Sequence, residues 1–379
     1  MSAPSMSAIE KLRQAVQDRH RYAREWKART GGKVVGYLCS YVPEEIISAA
    51  GMLPVRVFGS REPQDVTEPH IASYYCPYCR DCLAQALLGR YDYLDGLVIG
   101  HSCFHILQTF NSWRRHVPLS FDYHLFVPQH VRSPRAKPCL TEVLVDFQAA
   151  LQEWSGQAVT DGALDGAIAA CNHNRRLLHQ LYQTRKDPSP PITGAQAMEV
   201  VLASQVMDKG ENSQLREQVL SELPGTDGAG EMVRLMVVGS ENNDVELLRL
   251  TESLGARVVV DDHCTGSRYF WNEVIPGPNR LEAIAARYID RVPCPQKDLV
   301  EKERLPHILK LAQGFGVQGA ILIQEKFCDP HGFDMPQIQA LLKANGIPSL
   351  LLEVDITTPA GQFRTRLEAF LEMLQTGTA

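Results

Sequence analysis

Ten cysteines are the residues of this 379-residue chain whose type and position point most directly to chemistry. Four of them follow short apolar runs that are typical of buried β-strands: Cys39, Cys103, Cys264 and Cys328. The carboxyl ends of parallel strands meet at one edge of a sheet, where ligands bind. Thiolates are soft ligands that suit iron, so the pattern predicts an iron–sulfur cluster in a cleft between two domains. The alternative is that these four cysteines are small buried residues without a ligand role.

A second group of cysteines is closely spaced. Cys76, Cys79 and Cys82 match the first three positions of the bacterial ferredoxin run, but Ala86 stands where a fourth cysteine would be. We therefore expect no self-contained ferredoxin cluster. A zinc ion on Cys76 and Cys79 is a further alternative, although no second pair at zinc spacing is present. We expect Cys76 to face the cleft and the other two to pack beside it. The remaining cysteines are expected to be ordinary packing residues: Cys139, Cys171 and Cys294.

Histidines stand close to the predicted cluster cysteines in the sequence. His101 and His263 are candidate catalytic residues, because an imidazole can deliver a proton to a substrate near neutral pH. His105 lies in the same region. The alternative is that these rings only form hydrogen bonds that support the ligands.

The elements that position these residues alternate between strands and helices, which predicts parallel sheets. Predicted strands cover 34–38, 53–58, 93–99 and 121–127 in the first half, and 235–238, 257–260, 320–324 and 350–354 in the second. Helical periodicity fills 140–154, 164–182 and 195–223 between them, and further helices are predicted at 244–254, 335–345 and 360–374. The predicted fold class is α/β, with two Rossmann-like parallel-sheet domains at 1–135 and 231–379 and a helical bridge at 136–230.

Composition and motifs exclude several classes of protein. With 44% hydrophobic and 22% charged residues the chain is globular, and a net charge of −6 argues against nucleic acid as its main partner. No apolar stretch is long enough for a membrane span and no secretory signal is visible, so we expect a cytoplasmic protein. Residues 314–319 match a dinucleotide fingerprint, but they end a helix instead of opening one. No phosphate-binding loop is present, so another chain must supply any ATP hydrolysis.

Three stretches give the chain a resemblance to the 2-hydroxyacyl-CoA dehydratase and benzoyl-CoA reductase family. They are residues 37–56, which begin Tyr-Leu-Cys-Ser-Tyr-Val-Pro-Glu-Glu, residues 101–103, and residues 325–336, Glu-Lys-Phe-Cys-Asp-Pro-His-Gly-Phe-Asp-Met-Pro. The resemblance extends over nearly the whole chain. Within the family, residues 190–199, 201–209 and 261–272 are most similar to the smaller of the two substrate-binding subunits of ATP-dependent benzoyl-CoA reductase.

The resemblance implies two Rossmann-like domains that hold an iron–sulfur cluster between them. It carries the three family cluster ligands over to Cys39, Cys103 and Cys328. The cluster would be a [4Fe-4S] cluster or a larger double-cubane cluster, for which Cys76 and Cys264 match the additional ligands. One departure is Phe104, which stands where the family commonly has Asp and weakens an acid role at that position.

The resemblance also implies an oxidoreductase of anaerobic aromatic degradation. Such a subunit works with a larger homologous subunit and a two-subunit ATPase, and reduces benzoyl-CoA to a cyclic dienoyl-CoA with electrons from ferredoxin. Three alternatives stay open. They are a 2-hydroxyacyl-CoA dehydratase subunit that uses a radical mechanism, an electron-transfer protein that carries a cluster but binds no acyl-CoA, and a structural subunit stabilised by zinc.

Overall fold

The computed structural model describes residues 6–63, 65–224, 232–356 and 360–377. Two helices precede the first sheet, α1 (Ala8–Gln17) and α2 (Arg19–Thr30). A capping box starts α1, in which the side chains of Ser7 and Glu10 each accept a hydrogen bond from the other residue's backbone N–H. Gly31 ends α2 with a φ of +68°, a conformation that glycine adopts without strain.

The first sheet has four parallel strands in the order β2-β1-β3-β4. The strands are β1 (Val34–Leu38), β2 (Leu53–Arg56), β3 (Gly96–Gly100) and β4 (Phe121–Leu125), and the connecting helices are α3 (Glu44–Ala49), α4 (Pro77–Leu87) and α5 (Phe104–His116). Strands β1 to β3 are buried along their whole length, as expected for parallel strands that helices cover on both faces.

Four helices follow the first sheet: α6 (Ala136–Ser155), α7 (Asp161–Thr184), α8 (Gly194–Ser204) and α9 (Lys209–Glu222). The single helix predicted at 195–223 is wrong, because the chain breaks between α8 and α9. Asp208 causes the break by capping α9, since its side chain accepts hydrogen bonds from the backbone N–H groups of Gly210 and Glu211 at 2.9 and 3.1 Å.

The second sheet repeats the arrangement of the first, with four parallel strands in the order β6-β5-β7-β8. Its strands are β5 (Val233–Gly239), β6 (Ala256–Asp262), β7 (Gly319–Glu325) and β8 (Ser349–Val354). Its helices are α10 (Val245–Ser253), α11 (Ser267–Phe270), α12 (Arg280–Asp290), α13 (Arg304–Gly314), α14 (Asp329–Ala344) and α15 (Arg364–Thr376). Helix α14 begins at Asp329 and not at residue 335 as predicted, because Pro330 fits the first turn of a helix, where no backbone N–H is needed.

A continuous apolar core joins the two sheets through α8. It includes Val55 of the first sheet, Val201 of α8 and Val258 of the second sheet, all of them buried. The predicted fold class, two Rossmann-like parallel-sheet units with intervening helices, is confirmed. The predicted domain boundaries stay a prediction, and the boundary at residues 230 and 231 lies outside the described residues. Within the described ranges, no helix has the length and apolar character that crossing a membrane requires.

Candidate functional site

A cavity of about 80 Å³ lies where the carboxyl ends of the two sheets face each other. Seven cysteines line this thiol cavity: Cys39, Cys76, Cys79, Cys103, Cys264, Cys294 and Cys328. The set includes all five cysteines that the sequence places at the cluster. Parallel topology explains the convergence, because each strand end delivers its following loop to the same edge of its sheet.

Backbone conformation positions two of the thiols. Cys39 follows β1 directly and has a φ of +72°, and Phe327, directly before Cys328, has a φ of +59°. A non-glycine residue in this left-handed region costs roughly 1–2 kcal/mol. Glycine would form both of these turns more easily, yet each has a residue with a side chain. In the turn at Cys39, that side chain is a thiol on the cavity wall.

Three of the thiols sit at helix starts. Cys76, Cys103 and Cys328 are the N-cap residues of α4, α5 and α14. The unpaired backbone N–H groups and the dipole at a helix start favour negative charge nearby. These positions suit thiolates better than they suit neutral apolar side chains.

The cavity as it stands favours the protonated thiol. Burial raises the pKa of Cys103 and Cys328 well above the ordinary cysteine value, and the neighbouring Cys76 raises both further. A hydrogen bond from Cys76 lowers the pKa of Cys79, but burial and the charge of the neighbouring Cys103 together outweigh it and raise the pKa to about 11. Thiolates therefore need a bound cation or metal centre that replaces the protons.

Three buried arginines supply positive charge to the cavity wall. Arg56, Arg268 and Arg291 are at most 3% exposed. Arg56 Nη2 lies 3.3 Å from Cys264 Sγ, and Nη1 donates to the Cys264 carbonyl at 2.8 Å. The Nε atoms of Arg56 and Arg291 are buried without a hydrogen-bond partner among the described residues. Buried cations with spare donors indicate an anionic occupant.

Two buried carboxylates also line the cavity. Glu241 follows β5 and Glu325 ends β7, and they are 8% and 3% exposed. Burial raises the pKa of both above the ordinary glutamate value, and the charge of Glu241 raises that of Glu325 further. Glu325 Oε2 accepts a hydrogen bond from the backbone N–H of Tyr78 at 3.3 Å.

The two histidines predicted to be catalytic do not line the cavity. The His101 ring lies beside the ring of His124, with centroids 5.0 Å apart, and His263 Nδ1 lies 3.0 Å from the hydroxyl of Thr265. The histidine on the cavity wall is His331, whose Nδ1 is 3.3 Å from Cys328 Sγ. Proton delivery by the two predicted rings stays a prediction that their positions do not support.

Sequence reasoning missed several cavity residues, and some of them carried a usable signal. Arg56 and Glu241 stand at strand carboxyl ends, so the rule that found the cysteines would also have found them. Cys294 lies between two prolines outside any strand or α-helix, and only packing brings it to the cavity. Three cysteines lie away from the cavity wall: Cys82, Cys139 and Cys171.

The chemical types of the side chains on the cavity wall fit an iron–sulfur cluster. Soft thiols outnumber every other potential ligand on the wall, and positive charge surrounds them. Among the described residues, no three His, Cys, Asp or Glu side chains are grouped closely enough to hold a single metal ion. The fit therefore rests on the number and type of the donors and on the surrounding charge.

Comparison with known proteins gives matches over most of the chain. The family profile described as 2-hydroxyglutaryl-CoA dehydratase, D-component, matches residues 39–374, which include every cavity cysteine. The (R)-phenyllactyl-CoA dehydratase beta subunit of Clostridium sporogenes is 27% identical over 95% of this chain and 96% of its own. A benzoyl-CoA reductase subunit of Thauera aromatica is 26% identical over 86% of both chains. The beta subunit of (R)-2-hydroxyglutaryl-CoA dehydratase of Acidaminococcus fermentans is 28% identical over 92% of this chain and 94% of its own.

Proposed function

Because the chain belongs to the 2-hydroxyglutaryl-CoA dehydratase, D-component family, we propose that it is the iron–sulfur subunit of a CoA-thioester enzyme that works by single-electron reduction. The observation that carries the proposal is the thiol cavity, where seven cysteines and three buried arginines share one wall. The reaction that we propose is reduction of the benzoyl-CoA ring to a cyclic dienoyl-CoA, as part of anaerobic aromatic degradation.

The ligands in this proposal are those predicted from the sequence. Cys39, Cys103 and Cys328 would hold the cluster, and Cys76 and Cys264 would extend the ligand set for a double-cubane cluster. When bound, the cluster supplies single electrons at low potential. The protein excludes water by burying the cavity, and Arg56 stabilises negative charge on the thiolates by its contact with Cys264.

The proposed partners would supply the ATP hydrolysis for which this sequence has no phosphate-binding loop. A ring reduction is uphill in its first electron, yet no phosphate-binding loop is present in the sequence. We therefore propose that a two-subunit ATPase drives electrons from ferredoxin into this subunit and a larger homologous partner. In support, the matching relatives are named as subunits of larger enzymes.

A second candidate function is dehydration of a 2-hydroxyacyl-CoA. The relatives named as phenyllactyl-CoA and hydroxyglutaryl-CoA dehydratase subunits favour it, at identities close to that of the benzoyl-CoA reductase subunit. Both reactions can begin with one electron added to a CoA thioester, so the same cavity serves either. A third candidate, an electron carrier that binds no acyl-CoA, is excluded if calorimetry detects tight benzoyl-CoA binding.

The deciding experiment combines the anaerobically purified subunit with its larger partner, the ATPase, ATP and reduced ferredoxin. Benzoyl-CoA and (R)-phenyllactyl-CoA are supplied in separate reactions, and products are identified by mass spectrometry. We expect a cyclic dienoyl-CoA from benzoyl-CoA. Loss of water from phenyllactyl-CoA with benzoyl-CoA unchanged would select the dehydratase. Protein without iron and sulfide would overturn both functions and leave the zinc-stabilised subunit.

A further inference from the structure

Three neighbouring cavities that share wall residues lie in series from the surface to the thiol cavity. An outer cleft of about 590 Å³ lies between α1, α8 and the start of α10, and a connecting cavity of about 10 Å³ lies beneath it. The outer cleft and the connecting cavity share wall residues: Gly59, Arg61, Asn243 and Ile356. The connecting cavity and the thiol cavity share others: Tyr78, Glu241 and Glu325.

Glu241 lies on the wall that the connecting cavity shares with the thiol cavity. It is 8% exposed, and its Oε1 atom is buried without a hydrogen-bond partner among the described residues. An unsatisfied buried carboxylate oxygen is costly, so such a group is retained where it binds a proton, a water or a ligand. Glu325, in contrast, has its Oε2 atom engaged by the backbone of Tyr78.

Several charged groups face Glu241, but within the described part of the chain none of them forms an ion pair with it. The charges of Arg56 and Arg61 lower the pKa of Glu241, and those of Asp81 and Asp244 raise it. The charge of Glu241 in turn raises the pKa of Glu325. Arg56 is held by the Cys264 carbonyl and by the side-chain oxygen of Gln205, both at 2.8 Å. Arg61 Nε lies 3.4 Å from Asp244 Oδ2, and its backbone N–H donates to Asp81. Since these cations have other partners, Glu241 is free to exchange a proton.

We propose that Glu241 relays protons from the outer cleft to the thiol cavity. This inference rests on the proposed function, in which a low-potential donor delivers single electrons to the cavity. For each electron that arrives, one proton leaves the Glu241 carboxyl for the reduced substrate. The carboxylate is then reprotonated from bulk solvent by a proton that passes through the outer cleft and the connecting cavity, whose wall includes Glu241. Burial supports the role, because it raises the pKa of Glu241 toward the range in which a carboxyl can both hold and give a proton.

The test uses the anaerobically purified protein with its cluster and records infrared difference spectra between the oxidised and the electrochemically reduced states. We expect a carboxylic-acid C=O signal that shifts in D2O, disappears in Glu241→Gln and is kept at a new frequency in Glu241→Asp. Turnover in the complete enzyme should fall by about 100-fold in Glu241→Gln, the size of a lost general acid, and recover partly in Glu241→Asp.

Two further variants keep the test decisive. Glu62→Gln is the matched control, because its exposed side chain pairs with Arg90 at 2.7 Å and lies outside all three cavities. It should match the wild type. Asn243→Leu places an apolar side chain on the wall shared by the outer cleft and the connecting cavity and leaves Glu241 intact. Water should enter less readily, so the C=O signal should persist but exchange with D2O more slowly. This variant decides the question if Glu241→Gln does not bind iron.

The results separate the relay from the function on which it rests. A wild type without a reducible cluster overturns the proposed function and the relay together. A wild type that reduces its cluster, with Glu241→Gln keeping both the signal and the turnover rate, overturns the relay alone. Unchanged D2O exchange in Asn243→Leu overturns the route through the connecting cavity.

Discussion

Replacing Cys39 tests whether holding a thiol at this position of the cavity lowers the free energy of unfolding. The position has a φ of +72°, where alanine and cysteine are strained and glycine is not. We compare Cys39→Ala with Cys39→Gly, since both remove the sulfur atom and only glycine releases the strain. The matched pair is Cys171→Ala and Cys171→Gly, because Cys171 is buried inside helix α7 and away from the cavity.

The expected difference in the free energy of unfolding between the glycine and alanine variants follows from the backbone conformation at each position. Glycine at position 39 relieves roughly 1–2 kcal/mol of backbone strain in the folded state. The greater freedom of its unfolded chain lowers the stability again by about 0.5–1 kcal/mol. Cys39→Gly should therefore have a free energy of unfolding above that of Cys39→Ala, by up to about 1.5 kcal/mol. In α7 the order reverses, and Cys171→Gly should be about 1 kcal/mol less stable than Cys171→Ala.

The assay is urea unfolding of the iron-free protein, followed by circular dichroism, for all four variants. Iron content of the anaerobically purified protein is measured in parallel and should fall in both Cys39 variants and not in the Cys171 variants. If glycine destabilises position 39 as much as position 171, the turn at Cys39 stores no strain and the reasoning fails.

Three further predictions concern charge and ligands. Arg175→Met leaves the buried Glu45 carboxylate without its partner at 2.5 Å and should lower the free energy of unfolding by about 3–5 kcal/mol. Burial raises the pKa of Glu45, but the charges of Arg175 and Arg287 and the hydrogen bond from Arg175 together outweigh it and lower the pKa from 4.5 to about 2. The pair's stabilisation is therefore complete above pH 4.5 and lost as the pH falls toward 2, a dependence that urea unfolding should detect in the wild type and not in Arg175→Met. Arg56→Gln removes a cation and a contact with Cys264 and should lower the reduction potential of the bound cluster in a redox titration. Serine at any one proposed main ligand should reduce the bound iron and change the electron paramagnetic resonance signal: Cys39, Cys103 or Cys328.

Each of these predictions has a control or a contradicting result. Arg176→Met is the control for Arg175→Met, because the Arg176 side chain is 50% exposed and pairs with Glu273 at the surface. Equal destabilisation by the two variants would contradict the prediction. A potential that stays the same in Arg56→Gln would show that this arginine does not interact with the cluster. Iron content and spectra that are unchanged in all three serine variants would overturn the ligand assignment.

The fold class and most of the cavity cysteines follow from the sequence alone. Apolar strand runs and intervening helices specify parallel sheets, and parallel topology brings every strand's carboxyl end to one edge. Cys39 and Cys103 could therefore be placed at the edge of the first sheet, and Cys264 and Cys328 at the edge of the second, from the sequence alone. The split between α8 and α9 was missed because Asp208 reads as one more polar helix residue until its hydrogen bonds to the next turn are known.

The other groups around the thiols are set by tertiary packing. Cys294 reaches the cavity through packing of an irregular segment, and no local pattern indicates where such a segment lies. The position of His263 next to Cys264 predicts a ring at the cavity, yet the chain turns directly after β6 ends at Asp262, and the ring packs beside Thr265. The route through Glu241 depends on how the two sheets and α10 meet, because its walls come from residues far apart in sequence. The periodicity of the sequence predicts which residues follow the carboxyl ends of the strands. The packing of the two sheets against each other determines which of those residues line the same cavity.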